Sequence, residues 1–203
     1  MVGALLLALQ IIGGAREQAR KAEALGSIES LAELSAQMTS AVHALQLERA
    51  SEALVLGLHK QAANKGGSSA DDDAANSQAT ASASREAEQR IEASDRALSE
   101  LRAFLNSRDM SRLPPRLAGP LIEAQERLKE LPALRARFRS GEANVADVFE
   151  LHRVATQAFV RAIAGLTDLS DDGDLLRSIT SLVSLLQLED VGHIGLTAAE
   201  AGA

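Results

Sequence analysis

The 203-residue chain has no cysteine, tryptophan or tyrosine, and it carries only four phenylalanines and four prolines. The absence of cysteine excludes a disulfide framework, a thiol nucleophile and thiolate-bound zinc or iron–sulfur sites. So few aromatics, without runs of Val, Ile and Thr, argue against sandwiches, barrels and parallel sheets. Positive charge is also short: 21 Lys and Arg stand against 28 Asp and Glu, a net charge of −7. A nucleic-acid partner needs a basic surface, so that class is set aside. No glycine-rich phosphate loop, no Gly-x-Ser-x-Gly and no His-Glu-x-x-His occurs, so no catalytic residue is named and no enzyme is expected.

Long apolar runs are missing as well. Residues 2–14 read VGALLLALQIIGG. These thirteen positions fall short of the roughly 20 that span a bilayer. No basic residue precedes them, which fits a secretory signal poorly. This apolar lead, residues 1–14, is either the buried start of a helix or the end of a membrane helix. A helical domain is expected over residues 15–203.

What the chain does contain is 38 alanines and 31 leucines, about a third of its length. That composition points to an all-α fold. Apolar residues at Leu31, Leu34, Met38, Val42, Leu45 and Leu56 share one helix face and predict a long helix over Ala15–Asn64. Gly66 to Ser84 has no Leu, Ile, Val, Phe or Met and reads as a long flexible loop. A second helix is expected over Arg85–Asn106, with Ile91, Ala97 or Leu98, Leu101 and Leu105 inward. A break over Ser107–Pro115 precedes a third helix, Arg116–Arg139, with Pro120 in its first turn and Pro132 as a kink. Asn144 is an N-cap, with Asp147 favoured in the first turn of a fourth helix that reaches Leu166. That helix would turn Val145, Val148, Phe149, His152, Phe159 and Ile163 inward. A fifth helix is expected over Asp174–Leu196, with Leu175, Ile179, Leu182, Val183 and Leu186 inward. The sum is an antiparallel bundle of long helices with one long loop.

Charge is uneven. From Ala164 to Ala203 there are seven acids and a single base, Arg177. Glu189 and His193 are four apart on one helix face, and with His152 they outline a metal corner. A single Glu-x-x-x-His pair is common by chance, so it is read as the polar end of a helix, with no metal and no cofactor assigned. Arg49 is the more informative residue. The first helix's stripe runs Met38, Val42, Leu45, Arg49, Glu52, Leu56, so a guanidinium and a carboxylate interrupt apolar positions. A charge facing a bundle interior is costly unless paired. Either Arg49 pairs with Glu52 or an acid on another helix, or it faces an anion-sized pocket that suits its planar fork.

Three stretches carry a family resemblance. His43-Ala44-Leu45-Gln46-Leu47-Glu48-Arg49-Ala50 resembles the His-x-Leu-Gln-x-Glu-Arg-Gly motif of the nitrate- and nitrite-sensing (NIT) domains of bacterial signalling receptors. Gln89-Arg90, Ser94-Asp95 and Ala97-Leu98 are similar to that family's Gln-Arg…Thr-Asp…Ala-Leu helix. Leu131-Pro132-Ala133-Leu134-Arg135, the turn Gly141 to Asn144, and Leu188-Glu189-Asp190-Val191-Gly192 resemble its later helices and its Glu-x-x-Gly. The resemblance implies an all-helical ligand-binding sensory domain, attached elsewhere to a kinase or other output module and signalling by helix shifts. It implies a small anion, nitrate or nitrite, held by Arg49, with Gln46 and Glu189 in the matching motifs as further ligand-binding candidates. It also implies a homodimer, placed outside the cytoplasm beside a membrane. The family's second arginine, shortly after Glu-x-x-Gly, is absent: the matching step reads Ile194-Gly195-Leu196. Ala50 replaces the family's Gly, and Glu52 stands where Ser is common. A carboxylate three residues from the arginine repels an anion or neutralises the cation. The competing reading is a helical interaction or scaffold domain that has lost anion binding, with the acidic last segment as its docking face.

Overall fold

The computed structural model describes the backbone of residues 2–64, 70–107, 113–169, 173–174 and 176–187, and the side chains of 29–64, 74–107, 113–168, 173–174 and 176–187. All regular structure among these residues is helical: α1 (Val2–Asn64), α2 (Ala70–Asn106), α3 (Pro115–Leu128), α4 (Leu131–Ser140), α5 (Val145–Gly165) and a 3-10 turn (Leu166–Leu169). Residues 173–174 and 176–187 are helical too. At 1.5 Å per residue, α1 alone is about 95 Å long.

Cross-helix pairs establish the antiparallel arrangement. Arg135 and Arg139 of α4 meet Asp95 and Glu88 of α2, rising along one helix while falling along the other. Arg116 and Glu123 of α3 meet Asp168 and Arg161 at the far end of the chain's return, again in reverse order. Met38, Val42 and Leu45 of α1, Ile91 and Leu101 of α2, Leu117 and Leu121 of α3, and Phe159 and Ile163 of α5 fill one continuous core.

The helices depart from the sequence expectation in several places. The expected loop over 66–84 is mostly helix, because α2 starts at Ala70. Alanine needs no large neighbour to be helical, and the small Ala83 and Ala87 are buried in the core. Helix α1 continues upstream of Ala15 to Val2, across Gly13-Gly14. The expected third helix is two helices. Lys129 and Glu130 close i to i+3 turns onto Glu126 and Arg127, and α4 restarts with Pro132 in its first turn. Pro132 has no N–H for the Leu128 carbonyl, so the break falls there. Pro120 sits inside α3 rather than in its first turn. Val145, expected inward, is exposed at the first position of α5. The expected fifth helix is helical to residue 187, and its continuation to Leu196 lies outside the described residues.

The α4–α5 turn follows its sequence signals. Gly141 adopts φ 75°, and Glu142 and Gly141 donate to the Arg137 and Phe138 carbonyls, the paired bonds of a left-handed helix stop. Asn144 then accepts from the Asp147 N–H at 2.8 Å and caps α5. At the other end of α5, Gly165 touches α3 so closely that a Cβ there would lie 2.9 Å from the Arg116 carbonyl oxygen. Pro120, four residues on, cannot bond that same carbonyl within the helix.

Candidate functional site

At the middle of α1 the helix is buried nearly all round: Leu45, Gln46, Glu48, Arg49, Ser51, Glu52 and Ala53 are all inside. A helix surrounded by neighbours loses its two-faced pattern, so polar residues off the apolar stripe are buried along with those on it. Two acids, one arginine and one amide from this stretch meet groups from α2, α4, α5 and the helical residues 176–187.

One part of this layer is closed by hydrogen bonds. Arg135 of α4 donates to Glu48 through Nε to Oε1 at 2.7 Å and through Nη2 to Oε2 at 2.9 Å. Nη2 also donates to Ser94 Oγ at 2.6 Å, and Nη1 to Asp95 Oδ1 at 2.7 Å. The Ser94 hydroxyl donates its one hydrogen to Glu48, with the Ile91 carbonyl a second acceptor within reach. Burial pushes the Glu48 carboxyl up, but the hydrogen bonds and charge of Arg135, with His152 close by, outweigh it and leave it at about 2. Burial also works against the Arg135 charge, and the bonds and charges of Glu48 and Asp95 reverse that, raising its pKa above the ordinary arginine value.

One turn further along α1 the situation is opposite. Neither Glu52 oxygen accepts a hydrogen bond, and the side chain is fully buried. Its pKa rises to about 7, driven by burial, opposed by the charge of His152 and reinforced by that of Glu48. His152 of α5 faces it: Nδ1 bonds the Val148 carbonyl at 2.8 Å. The other ring nitrogen, Nε2, has no hydrogen-bond partner and lies 3.7 Å from Glu48 Oε1 and 4.0 Å from Glu52 Oε2. The ligand-type atoms of Glu48, Glu52 and His152 all lie within 4.8 Å of one another.

Arg49 is 1% exposed, the largest fully buried side chain described. Its guanidinium carbon lies 5.2 Å from the centre of the Phe149 ring, a cation–π arrangement across α1 and α5. One turn back, Gln46 Nε2 donates to the Leu186 carbonyl at 3.4 Å, while its Oε1 accepts nothing. Arg49 and Gln46 are thus brought to the same level of α1. Glu189 and His193 lie outside the described residues. The Glu189–His193 pair, read as the polar end of a helix, is therefore not described; His152 converges with Glu48 and Glu52. An open cleft of about 640 Å³ lies elsewhere, between the α3–α4 junction and α5, lined by Arg127, Lys129 and Arg137 and by the acids Glu130, Asp147 and Glu150.

Sequence reasoning passed over Glu48, Ser94 and Arg135. A signal existed for two of them. Ala87, Ile91, Ser94, Leu98, Leu101 and Leu105 step by 4, 3, 4, 3, 4, and Leu131, Arg135 and Phe138 step by 4 and 3, so both polar residues occupy core positions of their helices. Glu48 lies at the edge of the α1 stripe, three residues after Leu45 and four before Glu52, beside positions that were read as inward.

A long-helix bundle with a layer of charge buried among its helices has the build of a sensory or interaction module. The family model for nitrate and nitrite sensing (NIT) matches residues 40–190, and the chain belongs to that family, whose members are sensory domains. The match spans the Arg49 turn of α1, all of α2 to α5 and the buried polar layer. No curated protein and no solved structure matches the chain.

Proposed function

We propose that this domain binds a small oxyanion of the nitrate or nitrite class beside Arg49 and signals occupancy by a shift of α1 against α5. The observation that carries the reading is the Arg49 guanidinium, 1% exposed at mid-helix and stacked on Phe149. A planar, weakly hydrated cation is the side chain best suited to hold a planar oxyanion away from water. Gln46 supplies a neutral amide one turn away, and Glu189, in the Glu-x-x-Gly stretch, is the further candidate from the last part of the chain. A bundle of this kind signals when a ligand favours one of two packings that differ by a few kcal/mol. In this reading α1, which runs from the site to Val2, is the lever. The proposal extends to a homodimeric receptor with the apolar residues 1–14 leading to a membrane, the sensor outside the cytoplasm, and the output activity in another part of the protein. Among the described residues no helix is long and apolar enough to cross a membrane.

The test is thermal stability with and without millimolar nitrate and nitrite, on wild type and on Arg49→Lys. A ligand bound only by the folded state adds about 2.7 kcal/mol at a hundredfold excess over Kd, which is a rise of several degrees for a domain this size. The rise is expected in wild type and lost in Arg49→Lys, which keeps the charge and removes the fork. A wild type indifferent to both anions removes this ligand class.

A further inference from the structure

We propose that Glu48, Glu52 and His152 form a binding site for a divalent transition-metal cation, of the kind typified by zinc, inside the helical bundle. The argument begins with the imidazole. A carbonyl oxygen only accepts, so the 2.8 Å contact to Val148 places a hydrogen on Nδ1. Whenever the ring is neutral, Nε2 carries the lone pair, and that nitrogen has no hydrogen-bond partner although the side chain is fully buried. That lone pair faces Glu48 Oε1 at 3.7 Å and Glu52 Oε2 at 4.0 Å, on side chains that are also fully buried. Both Glu52 oxygens are likewise without a partner. Arg135 answers the Glu48 charge, but no donor stands between His152 Nε2 and Glu52, and an ionised Glu52 repels the imidazole lone pair unless a positive centre lies between them.

The centre is either a proton or a metal ion, and the spacing separates the two. A shared proton draws nitrogen and oxygen to about 2.7–2.9 Å. The observed separations are about 1 Å longer. A tetrahedral ion with ligand bonds of about 2.0–2.1 Å places neighbouring ligand atoms about 3.4 Å apart. To close on a metal, the two His152 separations need to shorten by only a few tenths of an ångström and the Glu48–Glu52 separation, within 4.8 Å, by at most about 1.4 Å, whereas sharing a proton draws His152 and a carboxylate about 1 Å closer.

The supporting groups match those around metal ligands. A ligating histidine usually donates its other ring N–H to a carbonyl or carboxylate, which fixes the tautomer and aims the free nitrogen, as Val148 does here. Ligating carboxylates are themselves held by hydrogen bonds, and Glu48 is held by Arg135 and Ser94. Glu48 and Glu52 are one turn apart on α1, so both reach the same side, and His152 completes the set from α5. One nitrogen and two carboxylate oxygens suit zinc and its neighbours. Arg135 shares Glu48 and weakens it as a donor, so the cation is held less tightly than by two unshared carboxylates. The inference does not rest on the oxyanion reading: it asks for a cation at Glu52, not an anion at Arg49.

The experiment uses the full chain, stripped with a chelator and then titrated with zinc and with cobalt(II). Expected are one equivalent of zinc per chain by equilibrium dialysis, a cobalt d–d spectrum of nitrogen and oxygen ligation, and a zinc-dependent rise in melting temperature. Glu52→Gln, which keeps the shape and removes the charge, and His152→Asn each lower the affinity tenfold or more. Should either variant fail to fold, the wild type still decides: zinc must perturb the Nε2 resonance of one histidine whose Nδ1 is protonated. Absence of stoichiometric metal in the folded wild type overturns the site. So does unchanged binding in both folded variants, which places the metal on exposed histidines such as His43 or His59.

Discussion

Glu48 and Glu52 are the same residue type, one turn apart on one helix, and both are fully buried. Their surroundings push them in opposite directions. Glu48 meets a bidentate guanidinium and a hydroxyl and is held ionised, with a pKa of about 2. Glu52 meets no hydrogen-bond donor, and burial lifts it to about 7. Burial alone does not decide the charge of a buried acid; the donors that burial brings with it do. The first residue is a structural tie between α1, α2 and α4. The second has no hydrogen-bond donor, and a buried acid whose pKa is strongly shifted is a candidate functional group.

The largest test of this contrast is to remove the donor. Arg135→Ala leaves Glu48 buried and uncompensated, and breaking such a pair costs about 3–5 kcal/mol. Urea unfolding of the variant should show that loss at neutral pH. A loss below 1 kcal/mol would mean that water reaches Glu48 and that the tie is not what holds α4.

Next is pH, measured on chelator-treated protein. Glu52 has a folded pKa of about 7 against an ordinary 4.5. Its folded state binds the proton more tightly, so stability is full below pH 4.5 and falls as pH rises through 7. The shift corresponds to about 3 kcal/mol. Glu48, at about 2 in the folded state, works the other way: its contribution is present above pH 4.5 and is lost as pH falls toward 2. Unfolding free energies of wild type and Glu52→Gln between pH 5 and 8 should diverge, with only the wild type losing stability. Parallel curves would show that Glu52 is ionised and solvated throughout.

A smaller effect is expected from Ser94→Ala. It removes one hydroxyl from between Glu48 and Arg135 and leaves their two direct bonds. A lost buried hydrogen bond costs about 1–3 kcal/mol. A double-mutant cycle with Arg135→Ala should be strongly non-additive, since the two share a network.

The smallest effect is the exposed counterpart. Arg139 holds Glu88 with the same two-bond geometry, at 2.9 and 2.8 Å, and both side chains are about half exposed. Its hydrogen bonds and charge pull the Glu88 carboxyl below its usual value. Exposed pairs contribute about 0–1 kcal/mol and are screened by salt. Glu88→Gln should therefore cost less than 1 kcal/mol and nothing in molar salt. An equal cost for Glu88→Gln and Arg135→Ala would erase the distinction between buried and exposed ties.

Much of the helical framework was readable in the residues. Met38, Val42, Leu45, Arg49 and Glu52 were placed inward by spacing, and all are buried. Asn144 was read as a cap and caps α5. Helix limits were less legible where alanine carried the helix without an apolar stripe, as at Ala70–Ser84, and where Pro132 divided a continuous pattern in two. The candidate site was half visible: Arg49 and Gln46 lie one turn apart on α1, whereas Glu48, Ser94 and Arg135 stood in the family-like stretches without a role.

The sequence by itself determined the helices, their caps and the fact that charge enters the interior of α1. Those features depend on residues within a turn or two of one another, through 3.6-residue periodicity and local hydrogen bonds. Only the tertiary structure decided which buried charge is answered and which is not. Ser94 and Arg135 reach Glu48 from 46 and 87 residues away, and whether they do so depends on how α2 and α4 are rotated and registered against α1. The same packing left Glu52 and His152 facing each other with no donor between them.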